Sequence, residues 1–361
     1  MSTADPSPPP SPDAGPAAAR PDDLGRPEAY PGLDAAPVER IETHVSHLFL
    51  TPTRVFKLKK PVRLPFVDQS TAAARRAGCE AELRLNRRLA PTMYLGLRDV
   101  VRGADGRDRV RLDGAELDGA VVDAVVEMVR LPADGMLDAR LRRGALDDAE
   151  LRAVCDLLVA FHARADGSSA IAEHGTPERV RHKVLENVDQ LAEEARAHTD
   201  QLPPQRIASL RAALAAFCDA HRPLLARRVD GGRIREGHGD LHAGNVCIAN
   251  GEVFVYDCVE FDLDLRADDV ACDLAFLVMD LRARGHEREA ARVVELYAEA
   301  SADTELDRLV PFYEAHRAAI RAKVAVFAAH QHEGDEQRRA LDEAHRYLEL
   351  ALAVIDADGA A

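Results

Sequence analysis

Several residue types and patterns are rare or missing in this chain of 361 residues, and each absence excludes a class of protein. Tryptophan is absent and aromatic residues make up 4% of the chain, so a core must consist mainly of Leu, Val and Ala. An excess of basic residues is also missing, and the formal net charge of −15 argues against a nucleic-acid-binding protein. No apolar run is long enough to span a bilayer, and the N-terminus has no basic start followed by an apolar core. These absences predict a cytoplasmic protein without membrane or nucleic-acid partners.

Cysteine is present but follows no metal-binding or redox pattern. None of the six cysteines forms a Cys-x-x-Cys pair, which excludes the common zinc and redox motifs. Most of them lie within apolar runs of the sequence. This placement is typical of small buried side chains in a reducing compartment.

The order of the predicted elements divides the chain into three parts. Residues 1–37 are rich in Pro, Ala, Asp and Ser, and this composition predicts a disordered tail. Residues 38–130 combine several strand patterns with one helix, which predicts a small N-lobe with an antiparallel sheet. Residues 131–361 are dominated by helical periodicity, which predicts a larger and mainly helical C-lobe. The predicted fold class is therefore α+β, with a bilobal arrangement.

Turn residues and periodicity place the individual elements. Asn250-Gly251 between two apolar runs is a strong hairpin signal, and Thr51-Pro52-Thr53 predicts a second hairpin. Helical structure is predicted again, in four segments, from Asp269 to the end. The other predicted elements are strands at 47–50, 55–58, 100–112, 119–129, 246–248 and 253–256, and helices at 69–89, 147–164, 178–197 and 205–228.

One short segment of the C-lobe carries most of the functional information. The run His238–Asn245 places Asp240 and Asn245 five residues apart, and Asp257 follows beyond the apolar strand 253–256. A positioned carboxylate such as that of Asp240 can accept the proton of an attacking hydroxyl. The oxygens of Asn245 and Asp257 suit Mg²⁺, which takes one or two protein carboxylates together with phosphates and water. The spacing predicts transfer of a phosphoryl group from ATP.

Each of these residues also has a structural interpretation. Asp240 alone could cap a turn and Asn245 alone could be a turn residue, but their combination with Asp257 favours the chemical role. His238 and His242 could act as a general acid or as metal ligands. The favoured interpretation is that both imidazoles hydrogen-bond the loop backbone and hold Asp240 in place. No other histidine has ligand spacing with them, so no zinc site is predicted.

The run His-Gly-Asp-Leu-His-x-Gly-Asn followed by Asp257 resembles the aminoglycoside phosphotransferase family, a branch of the protein-kinase-like fold. Further matches, over most of residues 40–285, are similar to one subgroup of that family. In this subgroup the domain is often joined to a C-terminal P-loop ATPase domain. The chain contains no Gly-x-x-x-x-Gly-Lys-Ser/Thr, so it is expected to be the kinase-like half standing alone, with a separate P-loop ATPase as a candidate partner. The segments that carry this likeness are Ile41–Ser46, Phe56–Pro61, Glu82–Pro91 and Asp257–Phe261.

The resemblance implies that a strand lysine contacts the phosphates of ATP and pairs with a helix glutamate. Lys57 and Lys59 alternate onto the same strand face, so both remain candidates, and the alignment favours Lys59. Glu82 fits the pairing glutamate better than Glu80 does. The alternative for both glutamates is a solvated helix face.

Further nucleotide contacts follow from the same resemblance. A Gly-x-Gly-x-x-Gly loop is absent, and in the corresponding turn Ser46 would bind phosphate through its hydroxyl or its N–H. The C=O of Glu127 and the N–H of Val129 would bind adenine, although this segment could also be a plain buried strand. The implied cofactors are ATP and Mg²⁺.

We therefore predict an ATP- and Mg²⁺-dependent phosphotransferase that acts on a hydroxyl of a small molecule. One alternative is a catalytically idle nucleotide-binding regulatory module that acts with a separate P-loop partner. Another is a helical scaffold with a chance motif. No motif identifies the acceptor: acidic residues at Asp262, Asp264 and Asp268 would suit a cationic acceptor or simply form a solvated loop. Near the start of a helix, Asp273 is predicted to be structural, with Arg266 as its partner.

Overall fold

The computed structural model describes residues 18–64 and 67–359 of the protein. The chain divides into two units, Met1–Leu131 and Pro132–Ala361. In its described residues the first unit contains an antiparallel six-stranded sheet, and the second unit is mainly helical. This mixture confirms the predicted α+β class with a sheet-rich N-lobe and a helical C-lobe. Of the helices within the described ranges, none is long and apolar enough to cross a membrane.

The first unit is built from short strands and one long helix. The elements are β1 (Glu39–Glu42), β2 (Ser46–Leu50), β3 (Arg54–Lys59), β4 (Arg63–Leu64), β5 (Val67–Asp68), β6 (Tyr94–Arg102), β7 (Asp108–Val110), β8 (Ala120–Val129), α1 (Pro21–Leu24) and α2 (Ala72–Asn86). The sheet has the order β1-β2-β3-β8-β6-β7, and the hairpin predicted at Thr51–Thr53 is confirmed as the connection of β2 to β3. The single strand predicted at 100–112 is wrong, because the chain turns between β6 and β7, where Gly106 has a φ of 73°.

The two faces of β3 differ in character, and this alternation places the candidate lysines. Phe56 and Leu58 are buried in an apolar cluster with Phe49 of β2. Lys57 and Lys59 project from the opposite face of the strand, because successive side chains alternate. The sheet therefore presents one apolar face and one face that carries two ammonium groups.

The N-terminal segment corrects the predicted extent of the tail. Residues 18–37 carry structure: Leu24 and Tyr30 are buried in the apolar cluster, and the Tyr30 ring stacks on Phe56 with centroids 4.5 Å apart. The hydroxyl of Tyr30 donates to the C=O of Leu24 at 2.8 Å. The composition misled the prediction because a few apolar residues in a polar segment suffice to dock it on an apolar sheet face. The proline run at 8–12 lies outside the described residues.

The second unit consists of helices with two short strand pairs. Its helices are α3 (Leu137–Arg142), α4 (Asp148–Arg164), α5 (Ser169–Ala172), α6 (Pro177–Glu194), α7 (Pro204–Ala220), α8 (Arg222–Asp230), α9 (Val270–Ala283), α10 (Glu287–Ser301), α11 (Leu306–His330) and α12 (Gly334–Gly359). Its strands are β9 (Ile234–Glu236), β10 (Val246–Ala249), β11 (Glu252–Val255) and β12 (Ala267–Asp269). The four helical segments predicted after Asp269 are confirmed as α9 to α12.

Two local predictions in this unit have different outcomes. The hairpin predicted at Asn250-Gly251 is confirmed: β10 pairs with β11, and both turn residues have positive φ values of 54° and 78°. The single helix predicted at 205–228 is instead α7 followed by α8. Pro223 explains the break, because proline lacks the N–H that a helix interior needs but fits the first turn of a new helix.

Candidate active site

The loop that carries Asp240 connects β9 to β10 and depends on two glycines. Gly239 has a φ of 84°, a conformation that other residues rarely adopt. A Cβ at Gly239 would lie 2.9 Å from the C=O oxygen of Leu265, and a Cβ at Gly237 would lie 2.5 Å from Oδ2 of Asp273. Side chains at either position would therefore push the loop away from the segment that supports it.

Asp273, in the first turn of α9, holds this loop in place through hydrogen bonds. Its carboxylate accepts hydrogen bonds from the N–H of His238 at 2.6 Å and from the N–H of Gly239 at 2.8 Å. His162 of α4 lies 3.2 Å away through Nε2. Burial alone would raise the pKa of Asp273, but the hydrogen bonds and charge of His162, together with His238, hold that pKa well below its usual range. Asp273 is structural as predicted, although it serves the loop rather than its own helix.

Arg266 does not pair with Asp273, which corrects that part of the prediction. Its guanidinium contacts Glu236 of β9 at 3.0 Å. The carboxylate of Asp273 is already occupied by two loop N–H groups and an imidazole, so a guanidinium has no place there.

His238 fixes the backbone around Asp240. Its ring is fully buried; Nε2 lies 3.0 Å from the C=O of Tyr256, and Nδ1 accepts the N–H of Asp240 at 3.3 Å. Its own C=O accepts the N–H of Val259 at 3.1 Å. Burial lowers the pKa of His238, which keeps the ring neutral at pH 7 and suits one donor and one acceptor nitrogen. The interpretation of His238 as a residue that holds the loop is confirmed.

His242, four residues further along the loop, also hydrogen-bonds the loop backbone. Its Nδ1 accepts the N–H of Gly244 at 3.0 Å, which caps the short 3-10 turn Ala243–Asn245. Its Nε2 lies 3.6 Å from Oδ2 of Asp240. The predicted hydrogen bond from this imidazole to the loop backbone is confirmed.

Asp240 and Asn245 are in direct contact. The amide Nδ2 of Asn245 donates to the C=O of Asp240 at 3.0 Å and lies 3.4 Å from its Oδ2. This bond orients the amide so that Oδ1 points away from Asp240. The side chain of Asp240 remains 37% exposed, whereas its backbone is fixed by the bonds to His238 and Asn245. The loop thus presents a carboxylate to solvent from a rigid support.

Asp257 follows β11 and adopts an unusual backbone conformation. Its φ of 64° is in the left-handed region, which costs free energy in a residue other than glycine and is often found at functional sites. The preceding residue, Tyr256, donates its N–H to the C=O of Asn245 at 3.0 Å. Asp257 is exposed, and its position next to this hydrogen bond ties it to the same loop. Within the second unit, Asp257 therefore follows directly after the residue whose N–H is bound to Asn245.

Arg317 of α11 is a site residue that the sequence did not reveal. Its NH1 donates to the C=O of Gly239 and its Nε to the C=O of Cys272, both at 3.3 Å. The guanidinium also lies 5.1 Å from the ring centroid of Phe276. A lone arginine in a long helix, far along the chain from Asp240, gives no sequence signal for these contacts.

In the first unit, Glu82 of α2 binds both candidate lysines. Lys59 Nζ lies 2.9 Å from Oε2 of Glu82, and Lys57 Nζ lies 2.9 Å from its Oε1. The ion pair between Lys59 and Glu82 is the predicted one. Glu80 is 59% exposed in its side chain and lies 3.5 Å from Arg76, as expected for a solvated helix face. One carboxylate thus holds both ammonium groups on this face of the sheet.

The N–H groups of Ser46 and Val129, two of the predicted nucleotide contacts, are hydrogen-bonded within the protein. Ser46 is fully buried, and its N–H donates to Oγ1 of Thr43 at 3.0 Å, whereas its hydroxyl has no hydrogen-bond partner among the residues that the structure describes. The N–H of Val129 donates to the C=O of Met93 at 2.9 Å. Glu127 is an interior residue of β8, where its carboxylate accepts from Arg98 Nε at 2.7 Å.

Replacing Glu82 with glutamine is expected to destabilise the first unit. The neutral amide removes the negative charge that both buried or nearly buried ammonium groups contact, and we expect a loss of about 2 kcal/mol in the free energy of unfolding. Urea denaturation measures the difference. The exposed pair gives a matched control, because Glu80→Gln is expected to change the free energy by less than about 0.5 kcal/mol. Equal effects of the two substitutions would contradict the buried ion pair.

Solved structures share the architecture of the two units. A choline kinase from Cryptosporidium parvum aligns with a TM-score of 0.51 at 11% identity, over 91% of this chain and 94% of that chain. A choline/ethanolamine kinase family protein from Mesorhizobium loti aligns with a TM-score of 0.50 at 12% identity, over 90% and 94%. A thermostable mutant of the aminoglycoside phosphotransferase APH(4)-Ia also gives a TM-score of 0.50 at 12% identity, over 89% and 94%. The fold is that of the protein-kinase-like phosphotransferases.

More specifically, the chain belongs to the phosphotransferase enzyme family (APH), whose family model matches residues 69–312. This membership confirms the resemblance seen in the catalytic-loop motif. Among curated relatives, uncharacterized protein Rv2004c of Mycobacterium tuberculosis and uncharacterized protein Mb2027c of Mycobacterium bovis are each 32% identical over 298 residues. Each alignment covers 82% of this chain and 56% of the relative. The chain therefore spans about half the length of the curated relatives that it matches.

Proposed function

We propose that this phosphotransferase transfers the γ-phosphoryl group of ATP to a hydroxyl of a small molecule, with Mg²⁺ as cofactor. One observation carries the proposal: the loop fixes the backbone of Asp240 through His238 and Asn245 but leaves its carboxylate exposed. If Asp240 were purely structural, its carboxylate would be expected to accept hydrogen bonds that hold the loop.

Asp240 would act as the general base. As the acceptor oxygen forms its bond to phosphorus, the hydroxyl proton passes to the carboxylate of Asp240, and the bond from phosphorus to the oxygen of ADP breaks. The neutral ring of His238 would hold the backbone of Asp240 in place during this step. Positioning of this kind is the main protein contribution to phosphoryl transfer.

Asn245 and Asp257 would hold the magnesium ion. The amide of Asn245 is turned by its bond to Asp240 so that the oxygen is directed away, and the carboxylate of Asp257 is exposed beside the same loop. One amide oxygen and one carboxylate fit the ligand preference of Mg²⁺. The ion, when bound, would neutralise charge on the phosphates. Lys59, held by Glu82 together with Lys57, would contact those phosphates.

The hydrogen bonds made by the N–H groups of Ser46 and Val129 favour a second candidate function. Because both N–H groups are hydrogen-bonded within the first unit, neither would be free to bind a nucleotide. This observation supports a catalytically idle nucleotide-binding regulatory module that acts with a separate P-loop protein. The exposed carboxylate of Asp240 supports the enzyme instead, since a binding module has no need of a base.

Both candidate functions require binding of ATP in the presence of Mg²⁺, but only the enzyme would transfer a phosphoryl group. We expect the protein to bind ATP in the presence of Mg²⁺ and to release ADP when supplied with a suitable hydroxyl compound. Calorimetry measures the binding, and a coupled ADP assay over panels of sugars, amino alcohols and hydroxy acids measures the transfer. Tight binding without ADP release from any acceptor would favour the regulatory module.

Asp257→Asn tests the magnesium site without disturbing the backbone, because asparagine tolerates the left-handed conformation of this residue. Loss of the charge is expected to weaken Mg²⁺-dependent ATP binding about tenfold or more. The partly exposed Asp262 is the control, and Asp262→Asn is expected to leave binding unchanged. Unchanged binding in both variants would remove Asp257 from the site.

A further inference from the structure

Two arginines lie on the face of α11 that contacts the loop carrying Asp240. Arg317 contacts the C=O of Gly239, the residue next to Asp240, at 3.3 Å. Its side chain is 4% exposed, and its NH2 has no hydrogen-bond partner among the residues that the structure describes. Arg321 lies four residues further on, so it occupies the same face of the helix one turn away. A fixed positive charge therefore extends from the loop along this face.

Arg321 differs from Arg317 in being accessible. Its side chain is 32% exposed, and its guanidinium lies 5.5 Å from the ring centroid of Tyr347, which limits its movement. The nearest carboxylate in the described part of the chain is that of Glu343, at 3.6 Å, beyond a normal hydrogen-bond distance. Val324 continues the same face and is 46% exposed. The guanidinium is thus oriented by an aromatic ring, and a bound anion would replace its long ion pair with the partly exposed Glu343.

The contact of Arg317 with the C=O of Gly239 places it next to Asp240, and Arg321 follows one helical turn later. Burial alone would lower the pKa of Arg321, but Tyr347 and the negative charge of Asp240 raise it. The pKa of Arg317 is likewise raised against burial by its acidic neighbours, among them Asp240.

The acidic residues that could have favoured a cationic acceptor are occupied elsewhere. Asp264 contacts Arg179 at 2.9 Å, and Asp268 contacts Lys183 at 3.1 Å and is buried. Asp262 accepts the N–H of Asp264 at 2.8 Å in a local turn. These carboxylates stabilise the segment after Asp257 and do not form a free anionic surface.

We propose that the acceptor carries a carboxylate or phosphate group in addition to its hydroxyl, and that Arg321 binds this group. The inference rests on the proposed function, because it concerns the acceptor of that reaction. An anionic compound that approaches Asp240 meets a like charge, and a guanidinium held nearby compensates for it. The planar fork of arginine matches the geometry of carboxylate and phosphate oxygens. Arg317 would act as a positioning residue, because it holds the loop at Gly239 and is too deeply buried to reach a ligand.

Matched compounds that differ only in charge test the proposal. One set is glucose 6-phosphate, glucose and glucosamine; a second is glycerol 3-phosphate, glycerol and 3-amino-1,2-propanediol. Calorimetry in the presence of Mg²⁺ and a non-hydrolysable ATP analogue measures binding of each compound. We expect the anionic member of at least one set to bind about tenfold or more tightly than its neutral and cationic counterparts. Tighter binding of the cationic members, or no binding of either anionic member, would overturn the proposal.

Variants of Arg321 show whether the preference arises there. Arg321→Ala is expected to abolish the advantage of the anionic compound, and Arg321→Lys to retain only part of it because the bidentate geometry is lost. Arg338→Ala removes an exposed arginine of α12 that pairs with Asp335, and it is expected to change nothing. An advantage that survives in Arg321→Ala would contradict the assignment.

ADP release by the wild-type protein separates this proposal from the proposed function. The anionic compound could bind through Arg321 while no acceptor causes ADP release from ATP. That result would contradict the transfer reaction and would still support the anion site. ADP release with neutral or cationic acceptors alone would establish the transfer reaction and defeat the anionic acceptor.

Discussion

Asp240→Ala is expected to lower the rate of phosphoryl transfer by a factor of about 10² to 10⁴, the usual contribution of a positioned general base. ATP binding in the presence of Mg²⁺ is expected to stay within about twofold of the wild-type value, because Asp240 is not assigned to the nucleotide or to the ion. ADP release with a saturating acceptor measures the rate, and calorimetry measures the affinity. The separation of the two effects is the signature of a base that acts in the chemical step.

The variant is expected to fold normally. The backbone of Asp240 supplies its N–H to His238 and its C=O to Asn245, and alanine keeps both bonds. The carboxylate itself is 37% exposed and lies 3.6 Å from His242, a contact worth little to stability. Asp262→Ala serves as a control, since it removes another partly exposed carboxylate from the segment after the motif. Undiminished transfer by Asp240→Ala would exclude the assigned role.

Local signals in the sequence predicted several contacts of the candidate site. Asp240 and Asn245 contact each other across five residues, and the Asn250-Gly251 turn places Asp257 beside them, so short-range spacing was sufficient. The pairing of Lys59 with Glu82 was also accessible, because strand alternation and helix position restrict the choice to a few residues. Local patterns such as these survive because the motif and its turn fold largely on their own contacts.

Residues whose roles depend on register or on distant packing could not be predicted. Whether the N–H of Val129 is available depends on which residue of the next strand lies opposite, and here Met93 accepts it. Tyr30 sits in a polar segment, and its burial follows from an apolar sheet face that the segment itself does not encode. Arg317 reaches the loop only because α11 packs along α9, a tertiary contact with no counterpart in sequence spacing.

Asp273→Ala is expected to produce the largest loss of stability in the second unit. The substitution leaves the N–H groups of His238 and Gly239 without their acceptor and removes the anionic partner of His162, all in a buried site. Such losses together cost about 3 to 5 kcal/mol in the free energy of unfolding. Asp335 is a matched control, because it also lies in the first turn of a helix but is exposed, and Asp335→Ala is expected to cost less than about 0.5 kcal/mol.

The pH dependence of this difference follows from the pKa of Asp273, which folding lowers from 3.8. Because the unfolded chain takes up the proton at a higher pH than the folded chain does, the carboxylate stabilises the folded state above pH 3.8. That contribution is lost as the pH falls from about 4 towards the lowered pKa. The gap in unfolding free energy between wild type and Asp273→Ala is therefore expected to narrow below about pH 4, as measured by urea denaturation. A gap that stays constant or widens with acid would show that Asp273 carries no lowered pKa.

Activity separates the support that Asp273 gives to the loop from its contribution to stability. Where enough folded protein remains, kcat is expected to fall about 10²-fold while KM for ATP changes little, since a loop displaced by about 1 Å misplaces Asp240 but not the nucleotide. A variant that is unstable yet retains the wild-type kcat in its folded fraction would limit Asp273 to a role in folding. Loss of kcat at a temperature where the variant is fully folded would assign to Asp273 the positioning of the loop that Asp240 needs.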